Sequence, residues 1–135
     1  MNEVFADAFY WIALANPADQ WHDAVKQFDE ANPNVPLVTT EEILTELLNF
    51  YAKAGIYRQK IVGAMCEQVL LHPNITIVLQ SHESFAQGFE LYRQRADKGY
   101  SLTDCISMIT CQNRNIQKVL TNDHHFEQEG FVILF

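Results

Sequence analysis

Five short apolar runs punctuate this chain, and they limit the folds open to it more than any other feature. They are "EVFA", "PLVT", "ITIVL", "KVLT" and "FVILF". Each is short and apolar at consecutive positions, the pattern of a strand covered on both faces. Longer stretches with helical periodicity separate them. "AFYWIALA" reads as a short helix broken at Asn16 and Pro17. "DQWHDAVKQFDEA" reads as a helix capped by Asp19, with Trp21, Ala24, Val25 and Phe28 on one face. "EEILTELLNFYAKA" ends at Gly55, and "YRQKIVGAMCEQVLLH" is closed by Pro73. "HESFAQGFELYRQRAD" gathers Phe85, Phe89 and Tyr92 on one side, "TDCISMITCQNRN" follows, and "DHHFEQE" makes a last short helix. Only 5 glycines and 4 prolines are present, so elements are long and loops short. The alternation predicts a three-layer α/β/α sandwich around a central, mostly parallel sheet of about five strands, in one domain over residues 1–135.

In folds of this class ligands bind beyond the carboxyl ends of the strands, and acids collect there in this sequence. Asp7 follows "VFA", Asp123 follows "VLT", and the helix after "LVT" carries Glu41, Glu42 and Glu46. On that helix Ile43, Leu44, Leu47, Leu48, Phe50 and Tyr51 form one apolar arc, and Glu46 lies roughly 40° outside its edge. Glu42 stands three residues after Thr39, the spacing of a capping box, which accounts for it locally and leaves Glu46 unexplained. Asp104 lies at the same roughly 40° offset from the arc of Leu102, Cys105, Ile106, Met108 and Ile109. Ser101 and Asp104 also have capping-box spacing, and Asp123 has the position of an N-cap, so both have a structural reading beside a functional one. Asp7, between two apolar stretches, needs a partner if it is buried.

Carboxylates at one sheet edge repel each other and drift toward their protonated forms unless a cation joins them. Mg2+ or Mn2+ suits oxygen donors of this kind, and one or two such ions can activate water for attack on a phosphodiester. The net charge of −8, from 17 acidic and 9 basic residues, argues against a generic nucleic-acid binder unless acids are concentrated at such a site. The three cysteines (Cys66, Cys105, Cys111) form no CxxC pair and read as free thiols, and the five histidines show no zinc-ligand spacing with them. No targeting or membrane-spanning segment is evident, since "VFADAFYWIALA" is interrupted by Asp7 and is too short. A cytoplasmic location is the expectation.

The segments "VFADAFYWIAL", "TTEEILTEL", "YSLTDCISM" and "VLTNDHHFEQEGFVIL" resemble, in order, the four acidic motifs of the PIN-domain family. The resemblance spans almost the whole chain and is nearest to small single-domain toxins of the VapC type. It implies a Mg2+- or Mn2+-dependent endoribonuclease whose metal-holding and catalytic acids fall on Asp7, Glu46, Asp104 and Asp123. Thr103 falls on a supporting hydroxyl position, and Asn122 is the neighbouring polar residue at the variable last motif. It further implies an RNA substrate, a small antitoxin protein as partner and a homodimer. Arg93, Arg95 and Lys98, just before Asp104, are candidates to contact RNA phosphates, with Lys53, Arg58 and Lys60 as a second basic group; a solvated helix face is the competing reading. Trp11 and Trp21 read as core; alternatively Phe9, Tyr10 and Trp11 offer a surface to a second subunit.

The rival function is a catalytically silent PIN-like domain that binds a protein or RNA, which the acidic charge favours. A phosphatase of the haloacid dehalogenase type would need an aspartate two residues after Asp7, where Phe9 stands. A phosphorylatable receiver domain would need an acidic pair at the first strand and a lysine near the last, and neither is present.

Overall fold

The first strand, β1 (Val4–Ala6), lies in the middle of the sheet rather than at its edge. In the computed structural model, which describes residues 2–135, β1 pairs with β2 (Leu37–Thr40) on one side and β4 (Lys118–Leu120) on the other. β3 (Ile75–Val78) extends the sheet beyond β2, and β5 (Val132–Ile133) beyond β4. All four pairings are parallel, in the order β3-β2-β1-β4-β5, so the sheet expected to be mostly parallel is wholly so. Phe5 faces Val38 and Val119 in register, and all three are fully buried. Branched and aromatic side chains covered on both faces make these runs strands.

The winding reverses between β1 and β4. Right-handed crossovers then place the helices before β3 on one face and those after it on the other. On the first face α1 (Ala8–Ala15) packs against α2 (His22–Ala31), α3 (Glu41–Phe50) and α4 (Ile56–Leu71). On the other, α5 (His82–Gln94) packs against α6 (Leu102–Asn113), and α7 (His124–Gln128) leads into β5. α1 is fastened to the sheet by polar bonds that need no solvent. The buried Trp11 Nε1 donates to Thr39 Oγ1 at 3.3 Å, and Thr39 Oγ1 donates to the Ala6 carbonyl at 2.9 Å. The Tyr51 hydroxyl donates to the Ile12 carbonyl at 2.7 Å. These bonds hold the β1–α1 junction, and therefore Asp7, in one place.

Several local expectations change. Asp19 does not cap α2; its carboxylate accepts the Trp21 N–H at 2.8 Å in a turn, and the helix begins at His22. α3 stops at Phe50 because Tyr51 turns into the core, and Gly55, at φ +96°, opens α4 instead of closing α3. The N-cap of α3 is Thr40, whose Oγ1 accepts the Ile43 N–H at 3.1 Å. Thr39 points the other way, into the sheet, as strand alternation requires. Glu42 is therefore not half of a capping box and instead accepts the Ser84 hydroxyl at 3.4 Å. Tyr10 and Trp11 are buried and Phe9 packs on Trp21 and Phe135, so this trio offers no surface to another subunit. Phe85, Phe89 and Tyr92 do share a face of α5, but that face is exposed, with the rings stacked along the helix. The cysteines are free and buried. Among the described residues no helix is long and apolar enough to cross a membrane.

Candidate metal centre

Reversal of the strand order opens a crevice beyond the carboxyl ends of β1 and β4, where parallel sheets bind their ligands. Asp7 is the residue after β1. It has the backbone conformation of an N-cap for α1, yet its side chain makes no capping bond to that helix. Instead Asp7 Oδ2 accepts the Thr121 hydroxyl at 2.9 Å, across 114 positions of chain. Thr121, fully buried at the end of β4, also receives the Asp123 N–H on its Oγ1 at 3.2 Å. One hydroxyl thus fixes the carboxylate after β1 and the loop that carries Asp123.

Asp123 caps α7, accepting the His125 N–H at 2.9 Å. Asp104 and Ser101 form a full capping box: Asp104 Oδ2 accepts the Ser101 N–H at 3.2 Å and Ser101 Oγ accepts the Asp104 N–H at 3.0 Å. The structural and functional readings of both aspartates hold together, because capping occupies one oxygen and also aims the carboxylate. The nearest ligand atoms of Asp104, Asp123 and His125 lie within 4.8 Å of one another. Glu46 reaches toward Asp7 and Asp104 from the exposed flank of α3.

The acids press on one another. Burial pushes the Asp7 carboxyl from 3.8 up to about 7; the Thr121 hydroxyl and Ala8 N–H oppose the rise, while Asp104 and Glu46 add to it. Glu46 is raised by the partial burial of its carboxyl and then by Asp104. Asp104 is raised by burial first and further by Asp123, against the Ser101 contacts and His125. Asp104 and Asp123 thus stand together, and Asp7 and Glu46 lie near enough to Asp104 for its charge to raise their carboxyls. Carboxylates that crowd until protonation becomes favourable are what a divalent cation relieves. The donor set, oxygen-rich with one buried ring nitrogen of His125 that has no hydrogen-bond partner, fits such an ion.

The remaining predicted residues are more dispersed. Asn122 sits half-buried between Thr121 and Asp123. Thr103 lines a surface groove with Glu42, Ser81 and Phe85, and no hydrogen bond joins its hydroxyl to the four acids among the described residues. The guanidinium of Arg93 lies over the Phe89 ring at 5.9 Å, and Lys98 Nζ stands 3.8 Å from Asp97 at the surface. Arg95 grips Glu129 through two bonds, of 2.9 and 3.1 Å, and Tyr100 donates to the same carboxylate. In the second basic group, Arg58 donates to the Ala15 carbonyl at 3.1 Å.

The sequence does not single out Thr121, and it marks His125 as no more than a possible RNA contact, with an ordinary surface or packing role preferred. Thr121 ends the apolar run "KVLT" and looked like its last strand residue. Thr121→Val keeps the shape and removes the hydroxyl from Asp7 and from the Asp123 N–H. The expected result is a loss of about 1–3 kcal/mol in stability, read by urea denaturation, and a fall of about 10- to 100-fold in divalent-cation affinity, read by calorimetric titration. Unchanged affinity would mean that the hydroxyl does not orient Asp7.

The PIN domain family model matches residues 4–131. The 23S rRNA-specific endonuclease VapC20 of Mycobacterium tuberculosis is 24% identical over 131 residues, covering 96% of this chain and 95% of that protein. The crystal structure of Mycobacterium tuberculosis VapC20, a sarcin–ricin-loop-cleaving toxin, superposes with a TM-score of 0.84 at 22% identity, over 96% of both chains. FitAcB from Neisseria gonorrhoeae superposes with a TM-score of 0.70 at 14% identity, over 98% of this chain and 96% of that one.

Proposed function

The chain belongs to the PIN-domain family, and from that premise we propose that it is a divalent-metal-dependent endoribonuclease acting as the toxin of a toxin–antitoxin pair. The observation that carries this reading is the cluster of Asp104 and Asp123 beside Asp7 and Glu46, on separate elements, with Asp7 and Glu46 raised by burial and by Asp104, and Asp104 by burial and by Asp123. The likeness to VapC20, an endonuclease acting on 23S rRNA, supports RNA as the substrate class and ribosomal RNA as the first substrate to test.

Each acid has a role set by its surroundings. Asp7 is the deepest and the most rigidly held, and so defines the floor of the centre. Asp104 and Asp123 face it from α6 and the β4–α7 loop, each aimed by its capping bond. Glu46 closes the side nearest α3. A Mg2+ or Mn2+ ion held by Asp7, Glu46, Asp104 and Asp123 would supply Lewis-acid polarisation of a phosphodiester oxygen and a lowered pKa for an attacking water. Arg93 and Lys98, exposed on the α5–α6 side, are the basic residues proposed to contact RNA phosphates. Arg95, tied to Glu129, instead stiffens the wall behind the centre. The −8 charge favours a basic antitoxin segment as partner, and a second copy of the chain is assigned to the exposed apolar residues of α3 to α5, among them Phe50, Tyr57 and Phe85.

The test is cleavage of ribosomal RNA by purified protein in Mn2+ or Mg2+, abolished by EDTA, with growth arrest on expression relieved by Asp104→Ala. In parallel, Mn2+ at about 100 times its dissociation constant is expected to stabilise the fold by about 2.7 kcal/mol, a rise of about 10 °C in Tm. Absence of both cleavage and thermal shift would mark a binding module without a metal.

A further inference from the structure

His125 stands among the acids, yet nothing in their arrangement accounts for it. It is the second residue of the short α7, whose position is set by the fully buried Phe126. Its imidazole leans on Tyr100, with ring centroids 5.2 Å apart and planes at 56°. Tyr100 is itself buried and bonded to Glu129, which Arg95 clamps. The ring therefore rests against a built wall and is not a loose surface side chain. Its Nδ1 is sealed from solvent and has no hydrogen-bond partner. The nearest oxygens are Asp123 Oδ1 at 3.4 Å and Asp104 Oδ2 at 3.8 Å.

A buried polar nitrogen without a partner is costly and uncommon, and each instance calls for a reason. The ring nitrogen and the two carboxylate oxygens lie within 4.8 Å of one another, near enough for a small side-chain adjustment to bring all three onto one cation. An ion among them would satisfy the nitrogen and relieve the crowding of the oxygens together. The other four histidines are engaged elsewhere: His22 Nδ1 contacts the Ala13 carbonyl, His72 Nδ1 accepts the Asn74 N–H, His124 pairs with Glu127, and His82 is exposed at the start of α5.

We infer that His125 Nδ1 is a nitrogen ligand of the metal centre, beside Asp104 and Asp123, and that it biases the centre toward Mn2+ over Mg2+. The chemistry follows from donor preference. Mg2+ takes oxygen ligands in a strict octahedron, whereas imidazole nitrogen binds first-row transition ions better. A centre of four carboxylates alone would have little means of telling the two ions apart. The inference rests on the reading of the acids as a metal centre.

Two measurements test it separately from that reading. Pulsed electron paramagnetic resonance on Mn2+-loaded wild-type protein is expected to show coupling to a nitrogen nucleus, and this needs no variant. Calorimetric titration of Mn2+ and of Mg2+ into wild type and His125→Ala is expected to show Mn2+ affinity falling about tenfold or more in the variant, the scale of even an outer-shell change. Mg2+ affinity should change far less, and the nitrogen coupling should vanish. Tight Mn2+ binding without nitrogen coupling, with the same Mn2+-to-Mg2+ ratio in both proteins, overturns the inference and leaves the metal centre standing; it would assign His125 to an ion pair with the aspartates. Wild-type protein that binds neither ion overturns both.

Discussion

Asp7→Asn is expected to abolish RNA cleavage while making the metal-free protein more stable at neutral and higher pH. Both effects come from one buried carboxyl. Asparagine keeps the shape and an oxygen for the Thr121 hydroxyl, but it cannot supply the charge that holds a divalent cation. Losing that contribution removes several kcal/mol of transition-state stabilisation, a fall on the order of a thousandfold or more in rate. Stability moves in the opposite direction. In the unfolded chain Asp7 titrates near 3.8, and in the folded protein burial holds it up at about 7. Across that window the folded chain retains a proton that the unfolded chain has lost. The contribution of Asp7 is therefore greatest below pH 3.8, falls as the pH rises through the window and is flat above about 7. The full interval amounts to about 4 kcal/mol. Asparagine has no such proton, so the variant should lack this slope. Urea denaturation in EDTA from pH 4 to pH 8 checks it. Wild type and variant should converge at the acid end and diverge at the alkaline end, with Mn2+ raising only the wild type appreciably. Parallel pH profiles would show that Asp7 is not the group held protonated, and full cleavage by the variant would point to a contaminating nuclease.

The largest purely structural effect is expected at Gly88. This residue lies on α5 where that helix presses on α6, and a Cβ there would stand 2.4 Å from Ile106 Cγ1 and 3.3 Å from the Ile106 Cα and N. The side-chain clash can be turned aside, but the backbone contacts yield only if the helices separate. Gly88→Ala should cost about 1–3 kcal/mol, and Gly88→Val more, because overpacking of a tight contact is relieved by moving whole elements. Ile106 is two residues from Asp104, so a displaced α6 carries one of the four acids with it. Reduced cleavage should accompany the lower urea midpoint. Gly63→Ala on α4 is the matched control: nothing lies within 4 Å of its Cβ position. There alanine should raise stability by up to about 1 kcal/mol through helix propensity. If Gly88→Ala is as stable as wild type, the helices have room that the geometry denies.

The strands and long helices were legible because periodicity and apolar runs report burial along one dimension of the chain. Asp7, Asp104 and Asp123 stand out because each borders an apolar pattern at a junction of strand or helix, and Glu46 because it lies beside the apolar arc in the middle of α3. Features that depend on a partner far away in sequence were not. Thr39 and Thr40 are adjacent and chemically alike, and only the pairing of β1 with β2 decides that one bonds the sheet and the other caps α3. The Thr121–Asp7 bond spans nearly the whole chain, so no local pattern could mark that threonine. Phe85, Phe89 and Tyr92 have the spacing of a core stripe, and their exposure follows from which face of α5 meets α6. His125 was obscured by His124 beside it; one is solvent-exposed and the other is turned into the acids by the start of α7.

The central place of β1 in the sheet carries a consequence for biosynthesis. β1 waits for β4, made much later, since Asp7 finds its hydroxyl partner on Thr121, 114 positions downstream. A nascent chain still threaded through the ribosome already contains Asp7, Glu46 and Asp104 but lacks the piece that aligns them. A chain cut short before Thr121 lacks the hydroxyl that fixes Asp7, and its acids are expected to be poorly aligned.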